Sequence, residues 1–380
     1  HQMLKLLNII HVQEKDVFYR MPQHFRLIDY ITGETCFELK LPRLPYPLHL
    51  ITGLLSSPSL SLKEKLLTLW RFDGLLKKDI DQDISVDQWL SQSKLPQIYI
   101  RYMLKPLCLA ALTTHTHEAS ARIFQNVLRQ TFNGPASYTD LLIPKTDLGQ
   151  LFPLAAKNYI EQHGGQVITG MKATKLLCSN NKVNTVVIDD KPQSVDHIIL
   201  ATPASVTARL LSPIDVCNDI QHQLNTLEYE PVITVYLHYA DNIALPLPMT
   251  GLINATAEWL FDRKYCQQTG MIAAVISAGG DHDALDNETL AQSIASELSQ
   301  LFKLPAPKSS QVIREKRATI RCIPGIDQQR PGIDTPLSNL KLCGDYVHFD
   351  DISVAGLPST LEGALRSGVK CAQKFIQETT

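Results

Sequence analysis

Apolar and polar positions change their period several times along the chain, and each change predicts a different element. In "HFRLIDYITGETCFELKLP" apolar and polar residues alternate on either side of Thr32 and Gly33, which is typical of a β-hairpin. From about Ser61 to Phe132 the pattern is helical with broad apolar faces, and Ser61-x-x-Glu64 and Ser85-x-x-Gln88 are typical helix starts. We therefore predict a hairpin followed by a region of helices.

The pattern becomes mixed after Asp147. A helix is predicted from Asp147 to Gly164-Gly165, and strand-like "QVIT", "ATKLLC", "VNTVVID" and "VDHIIL" follow it, with Asn180-Asn181 as a turn. Pro203 opens another helix. The remaining predictions are strands near 231 to 239, 271 to 278 and 311 to 321 and a helix near 287 to 303. This order predicts a mixed α/β protein without internal repeats.

The segment from 341 to 375 joins a short strand to a helix of small residues. Leu340 to Cys343 form the predicted strand, Gly344 lets the backbone turn, and Asp345 places a carboxylate at the strand's carboxyl end. Open α/β sheets bind ligands at that end of their strands. A carboxylate there suits the hydroxyl groups of a sugar or sugar alcohol better than a phosphate.

The helix after this turn is predicted to start with a reciprocal cap between Ser359 and Glu362, preceded by Pro358. Its first N–H groups, near Thr360 and Leu361, form a partial positive end that can receive a carbonyl oxygen. The small residues of one face are Gly363, Ala364, Ser367, Gly368, Cys371 and Ala372. Such a face commonly packs closely on a sheet, and it is also suited to a flat ligand.

Composition and charge narrow the class of protein. The chain has 380 residues, of which 44% are hydrophobic, so we expect either two domains or one domain with an elaborate insert. A net charge of -2 gives no electrostatic basis for a nucleic-acid partner. The eight cysteines are scattered without a CxxC pair, which predicts a reducing compartment and a cytoplasmic location. We identify neither a secretory leader nor an apolar run of membrane-spanning length.

Several motifs together resemble those of flavoproteins. "LCGDY", a loop and "LPSTLEGALRSGVKCA" resemble the C-terminal flavin-binding signature of the amine oxidase and phytoene desaturase superfamily. "GGQVITGMKATKLL" with "VDHIILATPASVTARLL" resembles the part of that fold that holds the adenine end of FAD. Within the superfamily, "LHLITGLLSSPSLSLKEKL", "LKPLCLAALTTHTHEASARIFQNVL" and "DLLIPKTDLGQLFPLAA" are most similar to the bacterial hydroxysqualene dehydroxylases.

The resemblance implies an α/β fold in two discontinuous domains. Residues 1–20, 146–212 and 336–380 would form a Rossmann-like FAD-binding domain, and residues 21–145 and 213–335 a substrate domain of mixed sheet and helices. Members of the superfamily begin with a strand, a GxGxxG turn and a helix, and no GxGxxG occurs here. Since the chain opens at His1 within an amphipathic pattern, we expect this βαβ unit to lie upstream.

The resemblance also assigns cofactor contacts. It implies that the backbone of Ala173 lies against the adenine, with the segment from Ala201 through Thr202 to Pro203 nearby. Asp345 would bind the ribityl chain or the adjoining sugar-phosphate region. The N–H of Leu361 would bind the pyrimidine carbonyl of the flavin. The other cofactor-binding positions that it implies are Gly344, Pro358, Ser359, Thr360, Gly363 and Ala364.

The implied activity is reductive removal of the hydroxyl group of hydroxysqualene to give squalene, with FAD as hydride carrier and NAD(P)H as reductant. A carotenoid-type desaturase, an amine oxidase-like enzyme and a non-catalytic binding protein of the same fold are the alternatives. The sequence identifies no catalytic residue. Tyr346, His348, Asp350 and Asp351 are the first positions to examine for a proton donor, and a solvated loop is their alternative interpretation.

Two further segments concern partners. "PYPLHLITGLLSSPSLSLKEKLLTLWRF" mixes apolar residues with lysines and Trp70, which is compatible with peripheral contact with the inner face of a membrane or with an amphipathic core helix. An apolar isoprenoid substrate would be collected from such a membrane. His115-x-His117-Glu118 lacks a third ligand at suitable spacing, so we predict ordinary surface residues there and no metal site.

Overall fold

The computed structural model describes residues 1–348 and 356–379. The helices of these residues are α1 (Gln2–Ile9), α2 (Glu14–Val17), α3 (Leu48–Ser56), α4 (Leu62–Lys77), α5 (Val86–Gln92), α6 (Gln97–Tyr99), α7 (Lys105–Leu112), α8 (Ala121–Phe132), α9 (Leu148–Leu151), α10 (Pro153–Gln162), α11 (Ala204–Leu211), α12 (Asn218–Thr226), α13 (Asn287–Phe302), α14 (Ile326–Gln329) and α15 (Leu361–Thr379). Their strands are β1 (Phe18–Met21), β2 (His24–Asp29), β3 (Thr35–Lys40), β4 (Leu141–Pro144), β5 (Ala173–Ser179), β6 (Lys182–Ile188), β7 (Lys191–Ser194), β8 (Ile198–Leu200), β9 (Tyr229–His238), β10 (Met249–Ile253), β11 (Trp259–Asp262), β12 (Met271–Ser277), β13 (Ser309–Ile320) and β14 (Leu340–Leu342).

The chain forms two compact units that alternate along the sequence. His1–Val12, Phe152–Glu228 and Gly325–Thr380 form the first unit, and Gln13–Leu151 and Tyr229–Pro324 form the second. No helix in the described part of the chain has the length and apolar content needed to cross a membrane.

The boundaries of the units differ from those predicted for the two domains. Residues 213–228 and 325–335 belong to the first unit, whereas residues 13–20 and 146–151 belong to the second. Helix α12 lies in the first unit because it packs on α11. The assignment of a cofactor or a substrate to either unit stays a prediction.

The second unit is built on a seven-stranded sheet. The strand order is β13-β9-β12-β11-β10-β2-β3, and neighbours are antiparallel except for the parallel pair of β10 and β2. Alternate residues of β9, including Val235 and Leu237, share a buried core with Leu290, Ile294 and Leu298 of α13. The four-residue spacing of those helix residues places them on one face.

The helical part of the second unit starts as its sequence predicts. Ser61 accepts a bond of 3.4 Å from the Glu64 N–H, and the Ser61 N–H donates to Glu64 Oε2 at 2.8 Å. Ser85 and Gln88 repeat this reciprocal arrangement at the start of α5. Both predicted capping boxes are therefore confirmed.

The described residues of the first unit form two small sheets. Strands β5, β6 and β7 form an antiparallel meander, while β8 and β14 form a parallel pair. The side chain of buried Asn339 joins the two sheets, since it accepts from the Val183 N–H at 2.9 Å and donates to the Val183 carbonyl at 2.7 Å. The start of β14 is thereby fixed relative to β6.

Most predicted elements are confirmed. The helix predicted from Asp147 is interrupted at Phe152, which separates α9 from α10, and one predicted strand is wrong. The hairpin of β2 and β3, the turn at Asn180-Asn181 and the helix after Pro203 occur where the pattern placed them. The segment "QVIT", residues 166–169, forms no strand and is mostly exposed. An extended segment is stabilised in a sheet by pairing with a neighbouring strand, and residues 166–169 have no such pairing.

Candidate cofactor site

The carboxyl ends of β8 and β14 lie side by side. Leu200 is opposite Leu342 in the parallel register, and the Cys343 N–H donates a bond of 3.0 Å to the Leu200 carbonyl. The residues that follow these strands therefore emerge at one edge of the pair. The structure thus brings Ala201 and Thr202 close to the turn at Gly344, although the two segments are far apart in sequence.

Gly344 adopts a conformation that other residues rarely adopt. Its φ is +153°, and a Cβ added there would lie 2.6 Å from Cε1 of Tyr346. Its N–H donates to Ser367 Oγ at 2.8 Å, and the Ser367 hydroxyl donates to the Ala364 carbonyl at 2.8 Å. These bonds fix the turn against the buried face of α15.

Tyr346 packs beneath this turn. Its side chain is buried, and its hydroxyl lies 3.0 Å from Thr207 Oγ1, which in turn lies 2.7 Å from Thr202 Oγ1. The three hydroxyl groups connect the turn after β14 to the start of α11. Among the other candidate proton donors, His348 donates its N–H to the Pro331 carbonyl, and Asp350 and Asp351 lie outside the described residues.

The cap of α15 differs from the predicted one. Thr360 Oγ1 accepts a bond of 3.1 Å from the Gly363 N–H, so the cap is Thr360 and not Ser359, which is buried. The Glu362 carboxylate accepts instead from the N–H groups of Gln2 and Met3, at 2.8 and 3.2 Å. A helix start such as that of α1 offers free N–H groups and a partial positive charge, which attract a carboxylate. The predicted reciprocal cap between Ser359 and Glu362 is therefore wrong.

The small-residue face of α15 serves two purposes. Ser367 and Cys371 are fully buried, and the thiol of Cys371 forms a hydrogen bond with that of Cys343 at the end of β14. This bond lowers the pKa of Cys343 and, together with burial, raises the pKa of Cys371. The later part of the face is therefore used for helix–strand packing, and Gly363 lies where the face reaches a cavity.

A narrow cavity lies between the turn after β14 and the start of α15. The residues that line it are Asp327, Arg330, Gly344, Asp345, Val347, His348, Gly356, Leu357, Pro358 and Gly363. Gly344, Asp345, Pro358 and Gly363 among them were predicted cofactor-binding residues.

The other predicted cofactor residues lie outside the lining of this cavity. Ala173 begins β5, in a different sheet, where it pairs with Ile188. Pro203 is exposed and precedes the first turn of α11. Leu361 and Ala364 lie in the first turn of α15, where N–H groups have no helical acceptor.

Arg330 is one of several cavity residues that sequence reasoning missed. Only 6% of it is exposed, and its Nη1 donates to the Leu357 carbonyl at 2.9 Å. Its buried Nε and Nη2 have no hydrogen-bond partner in the described part of the chain. Buried polar groups in proteins are nearly always paired, so these donors are available to a ligand or to an ordered water. With the Asp345 carboxylate and the start of α15, they fit a cofactor that carries hydroxyl, carbonyl and anionic groups.

A second group of polar residues lies in the other unit. Arg321 pairs with Glu118 at 2.6 Å and with Glu230 at 3.1 Å, and this pairing lowers the pKa of Glu118. His115 binds the Gly279 carbonyl through Nε2 at 3.1 Å. Glu118 and His115 are therefore half-buried residues with defined partners, whereas the sequence predicted ordinary surface residues at these positions. Among described residues no group of three potential ligands is arranged to hold a metal ion.

The second unit also contains an apolar cavity of about 510 Å³. It lies between β3, α3 and α4 and is lined by Leu39, Leu41, Tyr46, Pro47, Leu50, Ile51, Leu54, Thr68, Leu69, Phe72, Asp73, Leu76, Lys77, Tyr99, Phe132 and Asn133. The few polar groups of the lining include an ion pair between Lys77 and Asp73 at 2.7 Å. Such a lining favours a largely hydrocarbon ligand.

Known proteins with similar sequences include hydroxysqualene dehydroxylases and phytoene desaturases. The chain is 26% identical over 283 residues to hydroxysqualene dehydroxylase of Sinorhizobium fredii, covering 73% of this chain and 63% of that protein. It is 28% identical over 281 residues to hydroxysqualene dehydroxylase of Rhodopseudomonas palustris, covering 72% and 62%. It is 24% identical over 241 residues to 15-cis-phytoene desaturase of Glycine max, covering 58% and 41%. The chain thus spans less than two thirds of the length of these relatives, and the resemblance to the hydroxysqualene dehydroxylases is confirmed.

The fold is shared with solved structures of oxidoreductases. An oxidoreductase from Methanosarcina mazei superposes with a TM-score of 0.70 and 15% identity, over 94% of this chain and 82% of that one. Putrescine oxidase bound to putrescine superposes with a TM-score of 0.65 and 14% identity, over 99% and 85%. The α/β fold predicted from the motifs is thereby confirmed. The model of the family described as flavin containing amine oxidoreductase matches residues 2–376, and the chain therefore belongs to this family.

Proposed function

We propose that the protein is an FAD-dependent oxidoreductase of isoprenoid metabolism that reductively removes the hydroxyl group of hydroxysqualene to give squalene. The observation that carries the proposal is the similarity, at 26% to 28% identity over about 73% of the chain, to three hydroxysqualene dehydroxylases. Bound FAD would supply hydride transfer, and NAD(P)H would be the reductant.

The first unit would hold the cofactor. Asp345 would accept hydrogen bonds from ribityl or ribose hydroxyl groups, and the N–H of Leu361 would donate to the flavin carbonyl. The backbone of Ala173 and the segment after β8 would contact the adenine end. Tyr346 would act by supporting the turn at Gly344, because its hydroxyl is buried against Thr207.

The apolar cavity of the second unit would hold the substrate. Its volume of about 510 Å³ falls in the usual range for ligand pockets. Each buried methylene group of an isoprenoid chain would contribute about 0.8 kcal/mol to binding. Protonation of the hydroxyl group and its departure as water would leave a delocalised carbocation, which the apolar walls would protect from water until hydride arrives.

Turnover with and without reductant tests this activity. The protein from its complete reading frame would be incubated with hydroxysqualene, with or without NADPH, and the products identified by mass spectrometry. We expect squalene only when NADPH is present. A phytoene desaturase-like enzyme, which the Glycine max relative favours as second candidate, would instead form additional double bonds in phytoene without reductant. Purified protein that neither contains nor takes up flavin would contradict both and leave a non-catalytic binding protein.

We also propose that α4 contacts a membrane surface. Leu62, Leu66 and Trp70 follow one another at four-residue spacing and are 68%, 56% and 69% exposed. They therefore form one outward apolar stripe, which a helix buried in the core would not have. Exposed Lys63 lies beside the stripe, as expected for contact with anionic lipid.

Flotation with vesicles of phosphatidylglycerol and phosphatidylethanolamine tests this contact. The variant L62S/L66S/W70S should lose binding if the stripe enters the lipid surface. The matched control is L148S/L154S/I160S, which removes three other exposed apolar side chains. Equal binding by both variants, or no binding by the unaltered protein, would refute the proposed contact.

A further inference from the structure

We propose that Arg330 is a cofactor-binding residue whose free guanidinium edge binds two adjacent anionic acceptor atoms of FAD. The acceptors would belong to the diphosphate or to the N1 and C2-carbonyl edge of the reduced flavin ring. The proposal rests on the proposed function, because it requires that the protein bind a flavin.

The geometry of the side chain points to a bidentate contact. Nη1 is used internally, since it donates to the Leu357 carbonyl at 2.9 Å and lies 3.6 Å from Asp327 Oδ1. Nε and Nη2 lie together on the opposite edge of the planar group, and they are the two that lack a partner among described residues. This edge presents two parallel N–H donors, the arrangement that binds phosphate and carboxylate groups in proteins.

Burial makes it energetically unfavourable for Nε and Nη2 of Arg330 to lack hydrogen-bond partners among the described residues. Only 4% of the Arg330 side chain is exposed, so water reaches these donors poorly. A buried charge whose hydrogen bonds are incomplete is strongly destabilising, and a single carboxylate at 3.6 Å from the other edge offsets this only in part. An anion delivered by a ligand would satisfy both donors at once.

The helix start and the glycines beside Arg330 favour an anion at this position, whereas the two carboxylates of the lining oppose one elsewhere in the cavity. The start of α15 adds a partial positive charge, and Gly344 and Gly363 contribute no side chains to the cavity wall. The other ionisable groups in the lining are Asp327, Asp345 and His348. Asp345 would repel an anion at its own position, so it and Arg330 would bind different parts of one ligand, hydroxyl groups and anionic atoms respectively.

A purely structural role makes a different prediction. If Arg330 only secures the Leu357 carbonyl, it needs a single donor, which lysine supplies as well as arginine. If the free edge binds FAD, Arg330→Lys keeps the charge and loses the two-donor fork. Arg330→Gln removes the charge also. Arg366→Lys is the matched control, because Arg366 is on α15 and pairs with Glu362 without lining the cavity.

The experiment uses protein from the complete reading frame, stripped of flavin and titrated with FAD, ADP and riboflavin. The midpoint potential of bound flavin is measured in parallel. If the edge binds the diphosphate, R330K should bind FAD and ADP about tenfold more weakly and riboflavin unchanged. If the edge binds the reduced ring, R330K should bind oxidised FAD with normal affinity and reduced FAD about tenfold more weakly. This tenfold change lowers the two-electron midpoint potential of the bound flavin by about 30 mV.

Either result supports the assignment, provided that R366K shows neither change. Unaltered affinities and potential in both R330K and R330Q would overturn it and leave a structural role, which a lower melting temperature would reveal. Unaltered protein that takes up no flavin would overturn the proposed function and the assignment together.

Discussion

At Gly344 a single residue determines how β14 leads into the candidate cofactor site. Its positive φ, its N–H bond to Ser367 and the Tyr346 ring beneath it all act on the same turn. A side chain there would require the ring to move, and the ring is held by the bond between Tyr346 and Thr207. The turn, the start of α11 and the face of α15 therefore depend on one another.

We expect Gly344→Ala to lower the free energy of unfolding by about 2 to 4 kcal/mol, from backbone strain and overpacking against Tyr346. Denaturant unfolding measures the change. Gly332→Ala is the control in the same unit, because a Cβ there meets nothing within 4 Å. Equal stability of the two variants would show that the turn relaxes without cost.

Glu258, in the second unit, gives a prediction about pH. Burial raises the pKa of Glu258 to about 7 from its ordinary 4.5, although the Ser277 N–H donates to its Oε2 at 2.9 Å. Since the folded state binds the proton more tightly than the unfolded state, stability falls as the pH rises from about 4.5 to about 7.

Glu258→Gln removes this ionisation and keeps an oxygen that can accept from Ser277. The variant should be more stable than the unaltered protein by about 1 to 3 kcal/mol near pH 8 and similar near pH 4. Thermal unfolding across this range measures the difference. Glu34→Gln serves as the control, because Glu34 is exposed. If the stability difference between Glu258→Gln and the unaltered protein does not change with pH, the raised pKa of Glu258 is refuted.

The residues of the site differ in how far the sequence predicts them. Gly344 and Asp345 follow a short apolar strand directly, so local pattern is enough to identify them. Arg330 stands in "QQRPG", within a stretch that resembles the family but in which no local pattern marks the arginine as a ligand-binding residue. Its position in the cavity wall depends on Leu357, which is 27 positions away. A residue whose role depends on a distant partner leaves no signal in its own neighbourhood.

Strand β14 and helix α15 are joined by charges as well as by small residues. The Nζ of Lys341 lies 2.9 Å from Asp334 Oδ1 and 2.8 Å from Glu378 Oε2 in the last turn of α15. Lys374 of the same helix also contacts Asp334. The side chain of Lys341 is 6% exposed, whereas the two carboxylates are 54% and 51% exposed. Because the lysine is buried and the carboxylates reach water, the charge of Lys341 depends on these ion pairs more than the carboxylates do.

Lys341→Met keeps most of the packing volume and removes the buried charge. We expect a loss of about 1 to 3 kcal/mol at neutral pH, because the substitution removes both ion pairs of Lys341. The loss stays in this range because the half-exposed carboxylates regain water. Lys374→Met, at an exposed position, should cost under about 1 kcal/mol. Urea unfolding of the two variants gives the comparison, and a smaller loss for Lys341→Met than for Lys374→Met would contradict the assignment.

The same network has a defined pH dependence. Burial raises the pKa of Asp334, but hydrogen bonds from Lys374 and Lys341 outweigh it, and the pKa lies below its usual value. The contribution to stability is therefore complete above the unfolded value of about 3.9 and is lost as the pH falls through the folded value. The difference between Lys341→Met and the unaltered protein should shrink below about pH 4.

Elements with local signals were predictable, and elements defined by distant partners were not. The caps at Ser61 and Ser85 are made within four residues, and both predictions are confirmed. The cap at Ser359 fails because Glu362 binds Gln2, which is 360 positions away. Strand β10 was missed because three consecutive residues are buried, so it lacks the alternation that marks a strand.

At the scale of the whole molecule, the chain passes four times from one unit to the other. Composition and period do not distinguish them, since each contains both helices and strands. The division into two units could be predicted only from motifs that resemble a known family. The observed boundaries differ from the predicted ones at segments such as α12, which packs on α11 of the first unit. Ligand protection tests the prediction that the first unit binds the cofactor and the second unit binds the substrate.

Hydrogen exchange of the protein from its complete reading frame should separate the two ligands. FAD should slow exchange in residues 198–207, 340–348 and 356–366, because ligand contacts and the bonds around Gly344 resist opening when the site is filled. Squalene in detergent should slow exchange in residues 39–54 and 68–77, which line the apolar cavity. Detergent alone and ADP are the controls for the two ligands. Protection of the first unit alone by squalene would contradict a substrate site between α3 and α4, and the search for that site would move to the cavity beside Asp345.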